Sequence, residues 1–259
     1  MPSRAPARTR RIADVIAQLD DIIAWSMAER SRLGFFATLY RNVTIKVGEG
    51  IAQGRFDDGP RMERLDVIFA DRYVEAFDRY HRHETTSRCW EVAFAAAAQR
   101  RPVIVQHLLL GMNAHINFDL GIAVAEASRG QPLSALRRDF DRINDILMEA
   151  VPNVIRQIGS LSPLIGHLER INPDTDHTLI NFSLVKARAF AWQLGEELTT
   201  LRPAQWPRRL AVADHYVTAL GNLLERPPSL TARATLTAIR ASESGNVQEI
   251  IGELERTSP

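Results

Sequence analysis

The stretch that decides the fold is Pro102–Ala125, PVIVQHLLLGMNAHINFDLGIAVA. Between Arg101 and Glu126 its only ionisable residues are His107, His115 and Asp119. Pro102 suits a first helical turn, and Gly130 and Pro132 stop the pattern after about residue 128. A helix over 102–128, about 27 residues at a rise of 1.5 Å each, spans roughly 40 Å, the width of a whole domain. Because it is apolar on every side, it is expected to be the buried centre of the molecule. Its polar side chains then need partners, since an unpaired buried polar group costs on the order of 1–3 kcal/mol.

Helical spacing arranges those side chains. His107, Gly111, His115 and Asp119 recur every four residues and form a ladder on one side, with Gly111 leaving a gap between the two imidazoles. That gap is open to a ligand, an ion, water or the backbone of another helix. Asn113 and Asn117 form a second pair on roughly the opposite side.

Working outward, the periodicity predicts helices over 12–30, 35–47, 62–80, 87–99, 133–160, from Asp174 or Asp176 to 201, from 207 to just before Pro227, and then over 231–241 and 246–255. Gly48, Gly50 and Gly54 are expected to loosen the chain into a loop at residues 55–60, and Pro152 to bend the long helix. Alternating strand patterns, repeats and long polar linkers are missing. The expected architecture is all-α, a single-domain helical bundle of about ten helices around the central buried helix, with residues 1–11 as a flexible basic tail and 12–259 as one domain.

Composition excludes several classes. The 259 residues carry 32 Lys+Arg against 31 Asp+Glu, a net charge of +1, and 30 of the basic residues are arginine because Lys46 and Lys186 are the only lysines. Interspersed charge of this kind gives no nucleic-acid footprint. One cysteine, Cys89, rules out an internal disulfide or a Cys-rich zinc module and fits a reducing compartment. Neither a secretory leader nor a run of 18 apolar residues is present, so a soluble, cytoplasmic protein without a membrane span is expected. No P-loop or Gly-x-Gly-x-x-Gly follows a strand, and no nucleotide cofactor is expected. Without a Gly-x-Ser-x-Gly elbow a serine hydrolase triad has no support.

Two further carboxylates stand on apolar faces. In RMERLDVIFADRYVEAFDRY, Asp66 shares its face with Phe69, Ala70, Tyr73 and Phe77, and Asp214 shares one with Leu210, Ala213, Val217 and Gly221. Ligands projecting inward from several helices make a metal centre in a bundle. On that reading Asp66, His107, His115 and Asp119 hold a divalent Zn, Fe or Mn ion, and His107, His115 and Asp119 are the catalytic set. Arg72, Tyr73, Trp90, Asn113 and Asn117 would then support the ligands or hold substrate. The simplest chemistry is activation of a bound water by a metal-dependent hydrolase. Lack of Glu-x-x-His and His-Glu-x-x-His motifs argues against a ferritin-like di-iron centre and a zincin. Two other readings stay open. One is a non-enzymatic binding protein whose pocket uses Asn113, Asn117, Tyr73 and Trp90 to hold a small molecule. In the other, the polar residues form a purely structural network.

Other candidates have weaker patterns. His81-Arg82-His83-Glu84 reads as a solvated loop, His215 as a surface residue and Cys89 as a core residue. His167 and His177 flank Pro173 without evident partners. Arg188 and Trp192, four residues apart, fit stacking at a pocket wall, although packing on the helix surface is the commoner use.

The segments YRNVTIKVGEGIAQGRFDD, MERLDVIFADRYVEAF and QHLLLGMNAHINFDLGIA together resemble an uncharacterised bacterial domain-of-unknown-function family. The resemblance implies an all-α protein whose signature includes Asp66, Tyr73, His107, Asn113, His115, Asn117 and Asp119, and it supplies no activity. His115-x-x-x-Asp119 is also similar to the helical pair of zinc-dependent phospholipases C and single-strand nucleases. The histidines that follow in those families have no counterpart here between His115 and His167.

Overall fold

A computed structural model of the chain describes residues 11–165 and 184–256. Every regular element among them is helical: α1 (Ile12–Ala28), α2 (Leu33–Ala52), α3 (Gly59–His81), α4 (Arg88–Ala97), α5 (Ile104–Ala114), α6 (Leu120–Ala127), α7 (Arg137–Leu161), α8 (Leu184–Thr200), α9 (Trp206–Glu225), α10 (Leu230–Ser242) and α11 (Val247–Glu255). The expected basic tail, apart from Arg11, lies outside the described residues, as do the expected caps Asp174 and Asp176 and the histidines 167 and 177.

The expected central helix exists as α5 and α6 joined by a single π turn, His115–Asp119. In that turn the Leu120 N–H reaches back five residues to the His115 carbonyl. The whole stretch Ile104–Ala127 is apolar and long enough to cross a membrane, and 89% of its most apolar window is buried inside the bundle. Helices α2, α3, α4, α8 and α9 pack around it. The α6–α8 crossing is close because both helices place a glycine there. A Cβ on Gly121 would stand 2.9 Å from the Ala191 carbonyl, and one on Gly195 would stand 2.7 Å from Val124.

One expectation about glycine is corrected. Helix α2 runs through Gly48 and Gly50 to Ala52, while α7 runs through Pro152 as one helix, as the periodicity predicts. In α2, packing overrides propensity: Gly50 is buried, with Ile146 of α7 only 3.0 Å from where its Cβ would be.

The link between α2 and α3 is tied to α7 by a buried carboxylate that the sequence reading did not single out. Asp139 accepts the backbone N–H groups of Asp57 (2.7 Å) and Asp58 (2.9 Å) and pairs with Arg142 at 3.1 Å. Asp57 in turn receives Arg138 and Arg142, Asp58 caps α3 by accepting the Arg61 N–H, and Arg55 forms a two-pronged pair with Glu149. This latch fixes α2, α3 and α7 relative to one another.

Gly111 is the most constrained position of the central helix. A Cβ there would fall 2.3–2.8 Å from three atoms of Phe36, so the ring of an α2 residue fills the gap over Gly111. Gly111→Ala is expected to destabilise the protein by about 1–3 kcal/mol through overpacking, against a helix-propensity gain of at most about 1 kcal/mol. Asp139→Ala is expected to cost roughly 2–3 kcal/mol, because two backbone donors lose their acceptor. Urea denaturation of both variants checks the two values.

Candidate functional site

The centre of the site is the carboxylate of Asp119, which is 2% exposed. Three side chains from three segments meet it. His115 Nδ1 lies 3.1 Å from Oδ2, Trp90 of α4 donates its indole N–H to the same oxygen at 2.9 Å, and Arg72 of α3 reaches Oδ1 at 3.3 Å. Since a carboxylate only accepts, this bond places the proton on His115 Nδ1 and leaves Nε2 with its lone pair. Nε2 is buried and has no hydrogen-bond partner among the described residues.

Aromatic rings hold the imidazole in place. Phe69 stacks on it almost parallel, with centroids 3.5 Å apart, and Tyr40 meets it edge-on at 4.5 Å. Burial is the largest influence on His115 and pushes its pKa down, outweighing the opposing bond to Asp119. The ring is therefore neutral at physiological pH.

His115 lies on the wall of a cavity of about 180 Å³ formed by α2, α3, the central helix, α7 and α8. Among the described residues the lining is almost entirely aliphatic and aromatic, and four polar residues interrupt it: Tyr40, Asp66, His115 and Arg188. Three of them carry buried atoms without partners among the described residues, namely Tyr40 Oη, Asp66 Oδ2 and His115 Nε2. The Thr44 hydroxyl, one turn from Tyr40, donates to the Tyr40 carbonyl instead. Burial pushes the Asp66 carboxyl up to about 7, with Glu63 adding to the rise, and pushes the Tyr40 hydroxyl well above its ordinary value.

The expected ligand set does not converge among the described residues. His107 is separated from His115 along the helix by the Phe36 ring over Gly111, and it packs edge-on against Phe35 at 5.7 Å. Neither of its ring nitrogens makes a well-formed hydrogen bond. Burial first, then Arg32 and Arg240, push its pKa down to about 3, with the Pro102 carbonyl opposing. No group of three or more His, Cys, Asp or Glu among the described residues is placed to share a metal ion. Asp66 and His115 do share the cavity wall. Asp214 caps α4 from α9, accepting the N–H groups of Arg88 and Cys89 at 2.9 Å each.

The residues expected to hold a small molecule sit elsewhere. Asn113 donates to the Val217 carbonyl of α9 at 2.9 Å, and Asn117 donates to Asn113 at 3.0 Å, so this pair fastens the π turn to α9. Tyr73 and Trp90 lie on the Phe36 side, against His107 and Gly111, and do not line the large cavity. Arg188 reaches the cavity wall, but Trp192 does not stack on it. Arg188 lies over Phe140, and Trp192 bonds Glu196. Tyr40 is the polar lining residue with the least signal in the sequence, since an aromatic in an apolar helix reads as core.

Family-model comparison matches residues 12–227 to a family of unknown function, DUF5995. The chain belongs to this family. No curated protein and no solved structure matches it. Within the matched residues, the segments 40–58, 62–77 and 106–123 carry Tyr40, Asp66 and His115 respectively, which line one cavity.

Asp66 sets a pH signature. Its carboxyl ionises near 7 in the folded protein and near 3.8 when unfolded, so its protonated form favours folding below pH 4. That contribution is lost as pH rises toward 7 and is worth at most about 4 kcal/mol. Asp66→Asn is expected to remove this loss, making the variant gain on the wild type between pH 4.5 and pH 8. Urea denaturation at both values measures the change, and a constant difference would contradict it.

Proposed function

We propose that this chain is an enzyme acting on a small apolar molecule by general acid–base catalysis in the five-helix cavity. The reading is carried by one observation: His115, Asp66 and Tyr40 line a single apolar cavity, and each carries a buried polar atom without a hydrogen-bond partner among the described residues. His115 is neutral, and Asp119 holds its Nδ1–H, so Nε2 is the base that takes a proton from the substrate or from a water beside it. Asp66 retains its proton to about pH 7 and is the acid that returns one. Tyr40 stays neutral and orients the substrate through its hydroxyl. Two titratable groups held in opposite protonation states on one cavity wall are the usual arrangement of an acid–base pair. Hydrolysis and isomerisation are the reaction classes that need no more than this.

A metal-dependent hydrolase is the second reading, favoured by the fact that two of its four expected ligands, Asp66 and His115, line the same cavity. Elemental analysis separates the two. About one equivalent of Zn, Fe or Mn, lost in both His115→Ala and Asp66→Ala, would assign the base to a metal-bound water.

The catalytic reading is tested by incubating wild type and His115→Gln with a small-metabolite extract and following every compound by mass spectrometry. At least one compound is expected to be consumed by the wild type roughly 100-fold or more faster than by His115→Gln. Asp119→Asn, which disturbs the tautomer, is expected to fall between them. Equal turnover in wild type and His115→Gln, or none in either, would overturn the reading.

A further inference from the structure

The fourth polar residue of the cavity, Arg188, has a role that acid–base chemistry leaves unassigned. Arg188 is only 5% exposed, α8 carries it to the cavity wall, and no carboxylate among the described residues lies within ion-pair distance of it. The contrast is Arg61, the other buried arginine among the described residues, which has Asp58 at 3.6 Å and Asp139 at 3.7 Å. Asp141 is the acid that influences Arg188 most, and it is engaged by Arg137 at 2.7 Å.

The donors of Arg188 are only partly used. Nε donates to Asn144 Oδ1 at 2.6 Å and Nη2 to the Phe140 carbonyl at 2.5 Å, while the guanidinium lies over the Phe140 ring at 4.1 Å. Of five N–H groups, three have no acceptor among the described residues. A buried cation without a counter-charge is costly, and burial draws its pKa down to about 9. An anion arriving in the cavity would relieve both deficits. Arg188 is also the only Lys or Arg in the lining among the described residues, and the one positive charge it offers there fits a monoanion better than a phosphate dianion.

We infer that Arg188 anchors the carboxylate head of an amphiphilic ligand whose apolar body fills the cavity toward His115. The inference rests on the cavity being the substrate site. It adds the substrate class, a small carboxylic acid with an aliphatic body, such as a medium-chain fatty acid or a relative of one. The guanidinium suits a carboxylate because the planar fork of donors matches its two oxygens. The rest of the wall near Arg188, including Phe140, Ile143 and Leu147, supplies apolar contact.

Displacement of an environment-sensitive fluorescent probe by decanoate and by 1-decanol tests this, because the two share a chain and differ in the head. Wild type is expected to bind decanoate roughly tenfold or more tighter than decanol. In Arg188→Met, whose melting curve is recorded first, decanoate is expected to fall to the level of decanol while decanol is unchanged. Should that variant not fold, Arg188→Lys is expected to keep a reduced preference for decanoate. Equal wild-type affinities would overturn the anchoring role and leave the apolar cavity as a binding site. A preference for decanoate that survives in a folded Arg188→Met would also overturn it. Failure of both compounds to displace the probe would overturn the cavity reading together with this one.

Discussion

Asp119 is the group on which the rest of the site depends. Its two oxygens gather a histidine from its own turn, an indole from α4 and a guanidinium from α3, all inside the bundle. A carboxylate at 2% exposure persists only because donors replace the water it has lost, one of them cationic. The same bonds fix the tautomer and orientation of His115, so the polarity of the cavity follows from how Asp119 is satisfied. The widened turn that carries both residues is clamped on two sides, by the His115–Asp119 contact and by the Asn117–Asn113–Val217 chain on the other. π turns of this kind recur at functional sites, where the extra residue re-aims side chains that an unbroken α-helix would place differently.

Around that hub the fold spends its rigidity on keeping the cavity walls apart. Phe36 presses into Gly111, the Asp139 latch holds the α2–α3 connection on α7, and the Gly121–Gly195 crossing brings α8 close to the central helix. All five walls of the cavity belong to these tied elements. A bundle of this size has enough apolar surface to close such a space completely, which would favour stability. Three residues that line the space instead carry buried polar atoms without a partner among the described residues, each costing about 1–3 kcal/mol while it stays so. Stability alone gives no reason to keep three of them together.

Sequence periodicity revealed the fold and about half of the site. The central helix was legible because no other segment is apolar on all sides, and the His115–Asp119 pair because four-residue spacing puts the two in reach whatever surrounds them. Gly111 was legible as a gap, but not what fills it, since Phe36 comes from a helix far away in the chain. His107 illustrates the limit. It shares the ladder with His115, yet a shared helical face does not imply a shared neighbour, and the two imidazoles meet different phenylalanines of α2. Asp214 looked like Asp66 in pattern and proved to be a cap, because the N-terminus of α4 happens to arrive beside it. Asp139 and Tyr40 gave no signal at all, one being an acid in a charged helix and the other an aromatic among aromatics.

The electrostatics of the cavity tie the acid–base pair to the buried arginine. Asp66 and Arg188 line one cavity as potential opposite charges, yet they do not form an ion pair. Burial acts on each against its charged form, raising the acid toward 7 and lowering the base toward 9. An anion seated on Arg188 would stabilise the guanidinium and, by its own negative charge, hold Asp66 protonated more firmly than the empty cavity does. His115 would feel the same field, its pKa rising as well and its Nε2 becoming a stronger base as the ligand arrived. On the proposed reading a carboxylate at Arg188 would raise both pKa values together, strengthening His115 as the base and keeping Asp66 in its protonated form, so that ligand binding and proton transfer would be coupled through charge.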